Sequence, residues 1–354
     1  MKDEISTTLL SVAASGQYIL GKQVSEFETA LAKICDVDYA LTVANGTDAL
    51  VLSMKALGIG QGDEVIVPTN SFIASAGAVV QTGATPVFCD VNNDYNMSTE
   101  NAEKLITSKT KALMPVHLTG RPADMPSINQ LAKKYDLYVI EDAAQAIGAS
   151  LNGQKVGSMG DLAGFSLHPL KNLFVMGDGG FITMKCPHLY EKIKRMRNHG
   201  LADRDICVSW GINSRLDTIH CAVGLVKLKH FSRLTKRFKE IAKRYCEGLK
   251  DIVIVPIETE GMSAVYHNFV ITCERREALM NFLKLHNIET KTHYPVLLHK
   301  QPASRNLNST LEVFPVATKL NSMQLSLPIF PEIEDDEISY VIEKIRLFYQ
   351  SPHF

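Results

Sequence analysis

Apolar residues fall at helical spacing early in the chain, at Val24, Phe27, Leu31 and Ile34, and again at Leu50, Val51, Met54 and Leu57. Side chains three and four apart share a helix face, so both sets predict helices with one buried stripe. Short apolar runs follow at 64–68, 86–89, 112–116, 137–140, 165–167 and 181–184, separated by turn and helical stretches. Runs that short and apolar throughout predict strands of a mostly parallel sheet covered by helices on both faces. A long helix is predicted from 216 to about 249 and a closing amphipathic helix from 338 to 349. The expected fold class is α/β, with a large domain over 1–249 and a smaller α+β domain over 250–354.

Composition narrows the function classes. The 354 residues are 45% hydrophobic and 21% charged with a net charge of -1, which gives no reason to expect nucleic acid or an anionic membrane as partner. The basic stretch 227–244 is interleaved with Leu228, Phe231, Leu234, Phe238 and Ile241, so it reads as a solvated helix face rather than a binding patch. The chain start does not resemble a signal peptide, and no run reaches the roughly 18 apolar residues of a membrane span. Seven scattered cysteines without a CxxC pair predict neither a metal site nor a disulfide framework, and fit a reducing, cytoplasmic setting.

In sheets of this kind ligands gather at the carboxyl ends of strands, where Asp142 and Ser166 are expected. Lys171 stands five residues past Ser166 and 29 past Asp142, in Gly164-Phe-Ser-Leu-His-Pro-Leu-Lys-Asn172. A hydroxyl, a lysine and a buried carboxylate suit pyridoxal phosphate (PLP). The lysine forms a Schiff base with it, and the carboxylate keeps the pyridine nitrogen protonated so that the ring draws electrons. Asn45-Gly-Thr-Asp-Ala-Leu50 reads as a turn opening a helix, where Gly46 and Thr47 can bind a phosphate; alternatively Thr47 or Asp48 only caps the helix. Phe72 follows a strand end and either covers the cofactor ring or belongs to the core. Asp142 pairs with the ring nitrogen or caps a following helix, on whose face Gln145 would reach the ring hydroxyl. Ser166 bonds the phosphate or is a buried hydroxyl satisfied by backbone.

The chain resembles the DegT sugar-aminotransferase family of fold type I PLP enzymes nearly end to end. The resemblance is carried by Asn45-Gly-Thr-Asp-Ala-Leu50, Gly62-Asp-Glu-Val65, Gly83-Ala-Thr-Pro-Val87, Pro115-Val-His-Leu118, Glu141-Asp-Ala-Ala-Gln145, Ser166…Lys171-Asn172, Asn213-Ser-Arg-Leu-Asp217 and Ser326-Leu-Pro328. It implies that Lys171 and Asp142 are catalytic, that Gln145 meets the ring oxygen, that Phe72 covers the ring, and that Gly46, Thr47 and Ser166 hold the phosphate. Asn213 resembles an asparagine donated across a subunit interface, which implies a homodimer with shared sites.

The activity so implied is transfer of an amino group from L-glutamate to a nucleotide-linked keto sugar, with pyridoxamine phosphate as the intermediate cofactor form. The run His168-Pro-Leu-Lys171-Asn-Leu resembles members that aminate C3 of a dTDP-3-keto-6-deoxyhexose; C4 amination of a 4-keto-6-deoxy sugar is the neighbouring alternative. Related PLP-dependent sugar dehydratases carry His in the lysine position, and a non-catalytic regulatory relative is expected to lose Lys171 or Asp142; both residues are present here. His117, His220, Tyr294 and His299 are candidates for polar contacts to the sugar or diphosphate, each with a structural role as the alternative. Arg121 and Arg215 are candidates for the donor carboxylate. Departures from the family pattern at Thr119, His220-Cys-Ala222 and Leu297 bear on the substrate rather than on the chemistry.

Overall fold

The computed structural model describes residues 1–307 and 313–350. Seven strands form one sheet in the order Tyr39–Val43, Gly180–Met184, Leu162–Ser166, Tyr138–Asp142, Thr110–Leu113, Glu64–Pro68 and Thr85–Cys89. Gly180–Met184 is antiparallel to both its neighbours and the other pairings are parallel. Central strands are buried along their length, Gly180–Met184 at all five residues, which is why they read as unbroken apolar runs. The helices Lys22–Cys35, Gly46–Ala56, Ile73–Thr82 and Met125–Tyr135 turn their apolar stripes inward. Among the described residues no helix is long and apolar enough to cross a membrane.

Two elements escape the hydrophobic pattern. Strand Tyr39–Val43 carries Thr42, which is fully buried; its amide and hydroxyl both donate to Glu28 Oε1 at 2.8 Å, and Glu28 in turn pairs with buried Arg197. A polar residue satisfied in this way breaks an apolar run without breaking the strand. Helix Lys2–Ser15 buries only Val12 and lies against the long helix Thr218–Leu249, so it has little stripe to read.

The long helix starts at Thr218 after Asp217 rather than at 216, and it serves two cores. Near its start Gly224 lets the Phe27 ring press onto the backbone: a Cβ there would lie 2.4 Å from Phe27 Cζ. Its last turns supply Ile241, Tyr245 and Leu249 to the core of the C-terminal unit, with Phe269, Leu279, Leu325, Ile338, Ile345 and Phe348. That unit is an antiparallel pair, Phe269–Thr272 with Gln324–Leu327, covered by helices Arg276–Leu285 and Asp335–Gln350.

Candidate active site

The register of the sheet sets the site. Val43 and Ser166 both pair with Gly180, so the ends of three strands lie side by side at one edge. Helix Gly46–Ala56 starts from that edge. Asn45, and neither Thr47 nor Asp48, is its cap: Oδ1 accepts from Asp48 N at 2.8 Å and the carbonyl accepts from Ala49 N at 3.2 Å. The amides of Gly46 and Thr47 are left at the positive helix end for an anion. A Cβ on Gly46 would lie 2.9 Å from Ser166 Cβ, so only glycine lets the helix start approach that serine. Ser214 ties the segment after Asn213 to the same helix, its hydroxyl donating to Asp48 Oδ2 at 2.6 Å.

Asp142 ends strand Tyr138–Asp142, with its carboxylate buried. Oδ2 accepts from the Ser75 hydroxyl at 2.6 Å and Oδ1 from Ala144 N at 3.3 Å. Burial pushes its pKa up, and Ser75, the Ala144 amide and the Lys171 charge pull against that rise. No helix follows; the residues after Asp142 form turns, so Asp142 caps nothing and Gln145 reaches the site from a turn. Lys171 sits in the turn after Ser166, its amide donating to His168 O at 2.8 Å. Burial lowers its pKa while Asp142 pulls it back up, so the amine and the carboxylate sense each other across the site.

Tyr294 joins them. Its hydroxyl accepts from Gln145 Nε2 at 3.0 Å, its ring lies 5.4 Å from that of half-exposed Phe72, and burial ahead of the Asp142 charge pushes its pKa up to about 12. Gln145 Oε1 accepts from Thr119 N at 2.6 Å, which fixes the amide orientation. His299 bonds Thr69 Oγ1 through Nδ1 at 2.6 Å, behind the loop that carries Phe72. His220 lies in the first turn of the long helix against Gly177, its ring 3.2 Å from where a Cβ there would stand. Asn213 is exposed, bridged to Asn198.

Three candidates are placed differently. His117 is fully buried with both ring nitrogens engaged: Nδ1 accepts from Ala123 N at 3.0 Å and Nε2 donates to Glu141 Oε2 at 2.9 Å. It is a core residue and presents nothing to a ligand. Arg121 is engaged by the Ile257 carbonyl and Asp94, and Arg215 gives one N–H to Asn198 Oδ1 at 2.8 Å, while the Nε of each is buried without a hydrogen-bond partner among the described residues.

Glu141 shows why the Glu-Asp pair splits its roles. Burial pushes its pKa up, but His117 and the amides of Gly157 and Gly160 outweigh burial and hold it below the usual range. Met159 N completes a set of four donors on its two oxygens. Glu141→Gln sets an NH2 group against two of those donors and is expected to cost about 3 kcal/mol or more. Because the folded pKa is depressed, the stabilisation is present above the ordinary glutamate range and is lost as pH falls through the folded value. Urea unfolding midpoints at pH 7 and at about pH 3, below the ordinary glutamate value, check both statements: the wild type loses stability on the acid side, and the gap to the variant narrows.

Three polar groups near Lys171 lie outside the sequence-based set. Ser75 holds Asp142 from 67 residues away. His267 and His293 come from the C-terminal unit; burial lowers the pKa of both, and Lys171 contributes to each shift. They line a cleft of about 1000 Å³ that also touches Leu170 and Ser326.

A model of the DegT/DnrJ/EryC1/StrS aminotransferase family matches residues 1–346. A dTDP-3-amino-3,6-dideoxy-alpha-D-galactopyranose transaminase of Aneurinibacillus thermoaerophilus is 44% identical over 347 residues, spanning 98% of this chain and 95% of that protein. The crystal structure of DesV from S. venezuelae superposes with a TM-score of 0.96 at 38% identity, covering 99% of this chain and 95% of that one. NtdA of Bacillus subtilis with bound cofactor PMP superposes with a TM-score of 0.93 at 30% identity, covering 99% and 82%.

Proposed function

The chain belongs to the DegT/DnrJ/EryC1/StrS family of PLP-dependent sugar aminotransferases, and from that premise we propose that it moves an amino group from L-glutamate to C3 of a dTDP-linked 3-keto-6-deoxyhexose. The observation that carries the chemistry is Lys171 facing buried Asp142 beside the Gly46 and Ser166 cradle. The choice of C3 and of dTDP leans on the 44% identical transaminase and on the His168-Pro-Leu-Lys171 run.

These residues fit PLP. The free helix amides and the Ser166 hydroxyl suit its phosphate, and a buried carboxylate short of a cationic partner suits its pyridinium. When bound, PLP supplies a carbonyl carbon that takes up the amino group and a ring that withdraws electrons. Asp142 holds a proton at the ring nitrogen, with Ser75 and Ala144 N fixing the carboxylate plane. Lys171 Nζ would remove the proton from the amino acid Cα and deliver it to the carbon on the far side of the transferred nitrogen, then run the same shift in reverse for the sugar. Its lowered pKa makes the neutral amine accessible nearer physiological pH than for a solvated lysine. Phe72 and Tyr294 wall the space and Gln145 orients Tyr294.

The direct test is a panel of 3-keto and 4-keto sugar nucleotides with glutamate, read by mass spectrometry. Fastest turnover on the dTDP-3-keto-6-deoxyhexose is expected. A faster 4-keto substrate would remove the C3 assignment and leave the transaminase reading in place.

The working unit in this reading is a dimer with shared sites. Supporting it, Asn213 is exposed beside the phosphate cradle, and Trp210, Leu170, Met176 and Ile73 present apolar surface in neighbouring segments. Mixing Lys171→Ala with Asn213→Ala chains is expected to regenerate activity, because a heterodimer holds one site with both wild-type residues. Full activity of a species that is monomeric by light scattering would refute the shared site.

A further inference from the structure

The turn that carries Lys171 is clamped to the C-terminal unit by its neighbour Asn172. Asn172 Nδ2 donates to the Val265 carbonyl at 3.1 Å, and Oδ1 lies 3.1 Å from His267 Nδ1. A carbonyl can only accept, so the NH2 group of Asn172 must face Val265 and its oxygen must face the histidine. His267 Nδ1 therefore carries the hydrogen and donates it. Burial holds this imidazole neutral, and the charges of Lys171 and His293 act in the same direction. Its Nε2 is then a lone-pair acceptor, left to the cleft that His267 lines with Leu170, His293 and Ser326.

The next residue supplies the complement. Asn268 lines the same cleft, and its Nδ2 is buried with no hydrogen-bond partner among the described residues. An acceptor and a donor on consecutive residues match groups that both give and take hydrogen bonds, as hydroxyls do. They do not match an anion. His267 is uncharged, and Lys291, the cleft's lysine, is paired with Glu289 at 3.1 Å. Asp336 and Glu337 line the same cleft and repel phosphate.

We propose that His267 and Asn268 read hydroxyl groups on the sugar ring of the substrate, His267 Nε2 accepting from one and Asn268 Nδ2 donating to another. The pair selects hydroxylated over deoxygenated sugars at the position it meets. This rests on the sugar-nucleotide reading above.

The test compares kcat/KM for a dTDP-3-keto-6-deoxyhexose with that for its 2-deoxy and 4-deoxy analogues, in wild type, His267→Phe, His267→Gln and Asn268→Ala. Wild type is expected to prefer the hydroxylated sugar over one analogue by roughly thirtyfold, since a buried acceptor or donor is stranded by the missing hydroxyl. His267→Phe is expected to collapse that ratio to within about threefold, and His267→Gln, which keeps an acceptor near Nε2, to restore part of it. If His267 acts only by holding the Lys171 turn, both sugars slow together and the ratio stays, which overturns the proposal. A wild type that does not discriminate also overturns it.

A second measurement stands apart from turnover and from the folding of variants. In the PLP-loaded wild type labelled with ¹⁵N-histidine, His267 is expected in the neutral Nδ1–H form at pH 7. Its Nε2 resonance should shift on adding unreactive dTDP-hexose. An Nε2–H or charged ring, or no shift at saturating dTDP-hexose, refutes the assignment. Failure of the parent reading looks different: glutamate reacts, but no keto sugar nucleotide is aminated.

Discussion

Lys171→Ala is expected to fold, to bind PLP and to lose transamination by about 10⁴-fold or more. The size follows from the lysine's two tasks at one atom. In the proposed reading its Nζ would hold the cofactor covalently before substrate arrives and would then move the proton in both half-reactions. Tyr294, with its pKa pushed up to about 12, is a poor replacement, and in the same reading Asp142 would be occupied by the ring. Folding should survive because the turn is fixed by the Lys171 amide on His168 O and by the Asn172 side chain. Wild-type protein should be yellow, and borohydride should fix the cofactor on the peptide containing Lys171. Unchanged urea midpoints with vanished turnover are the expected pair of results for the variant. A label on another lysine, or appreciable turnover by the variant, would sink the assignment.

Much of the sheet is legible in the sequence because its strands are buried on both faces, so each is a short apolar run such as 64–68 or 137–140. The parts that are not legible depend on distant partners. Strand Tyr39–Val43 is hidden by Thr42, whose polarity is neutralised by Glu28 and Arg197. The turn after Asp142 looks helical in spacing, yet its backbone is committed elsewhere: Ala143 N donates to Gly164 O and Ala146 N closes a tight turn on Ala143 O.

The candidate site divides along the same line. Lys171, Asp142, Ser166 and Gly46 are readable because each lies at or just past a strand end, where topology brings ligands. Ser75, His267 and Asn268 are not, since nothing local marks a serine inside a helix as holding Asp142, or two residues before an edge strand as lining the cleft. His117 misleads for the opposite reason. A histidine at a strand end near the site looks like a ligand contact until Glu141 and Ala123 are seen to occupy both its nitrogens.

Asp142→Asn is expected to keep PLP and to slow the proton shift by roughly 10³-fold. Asp142 is 5% exposed, and burial raises its pKa, while the Ser75 hydroxyl, the Ala144 amide and the Lys171 charge pull against that rise. Such an arrangement suits an anion that must stay charged until a cation arrives, and in the proposed reading the protonated ring nitrogen would be that cation. An asparagine keeps the shape and can still accept from Ser75, so phosphate anchoring at Gly46 and Ser166 should hold the cofactor. It cannot keep the ring nitrogen protonated, so negative charge developing during the shift loses its sink. It also sets an NH2 group toward the Ala144 N–H, or turns its oxygen there and away from Ser75, so a modest fall in stability should accompany the kinetic effect. Single-turnover mixing with glutamate isolates the step, free of product release. The expected signature is a slow single exponential with unchanged saturation behaviour for glutamate. A rate within about tenfold of wild type, with PLP bound, would show that the ring does not depend on this carboxylate.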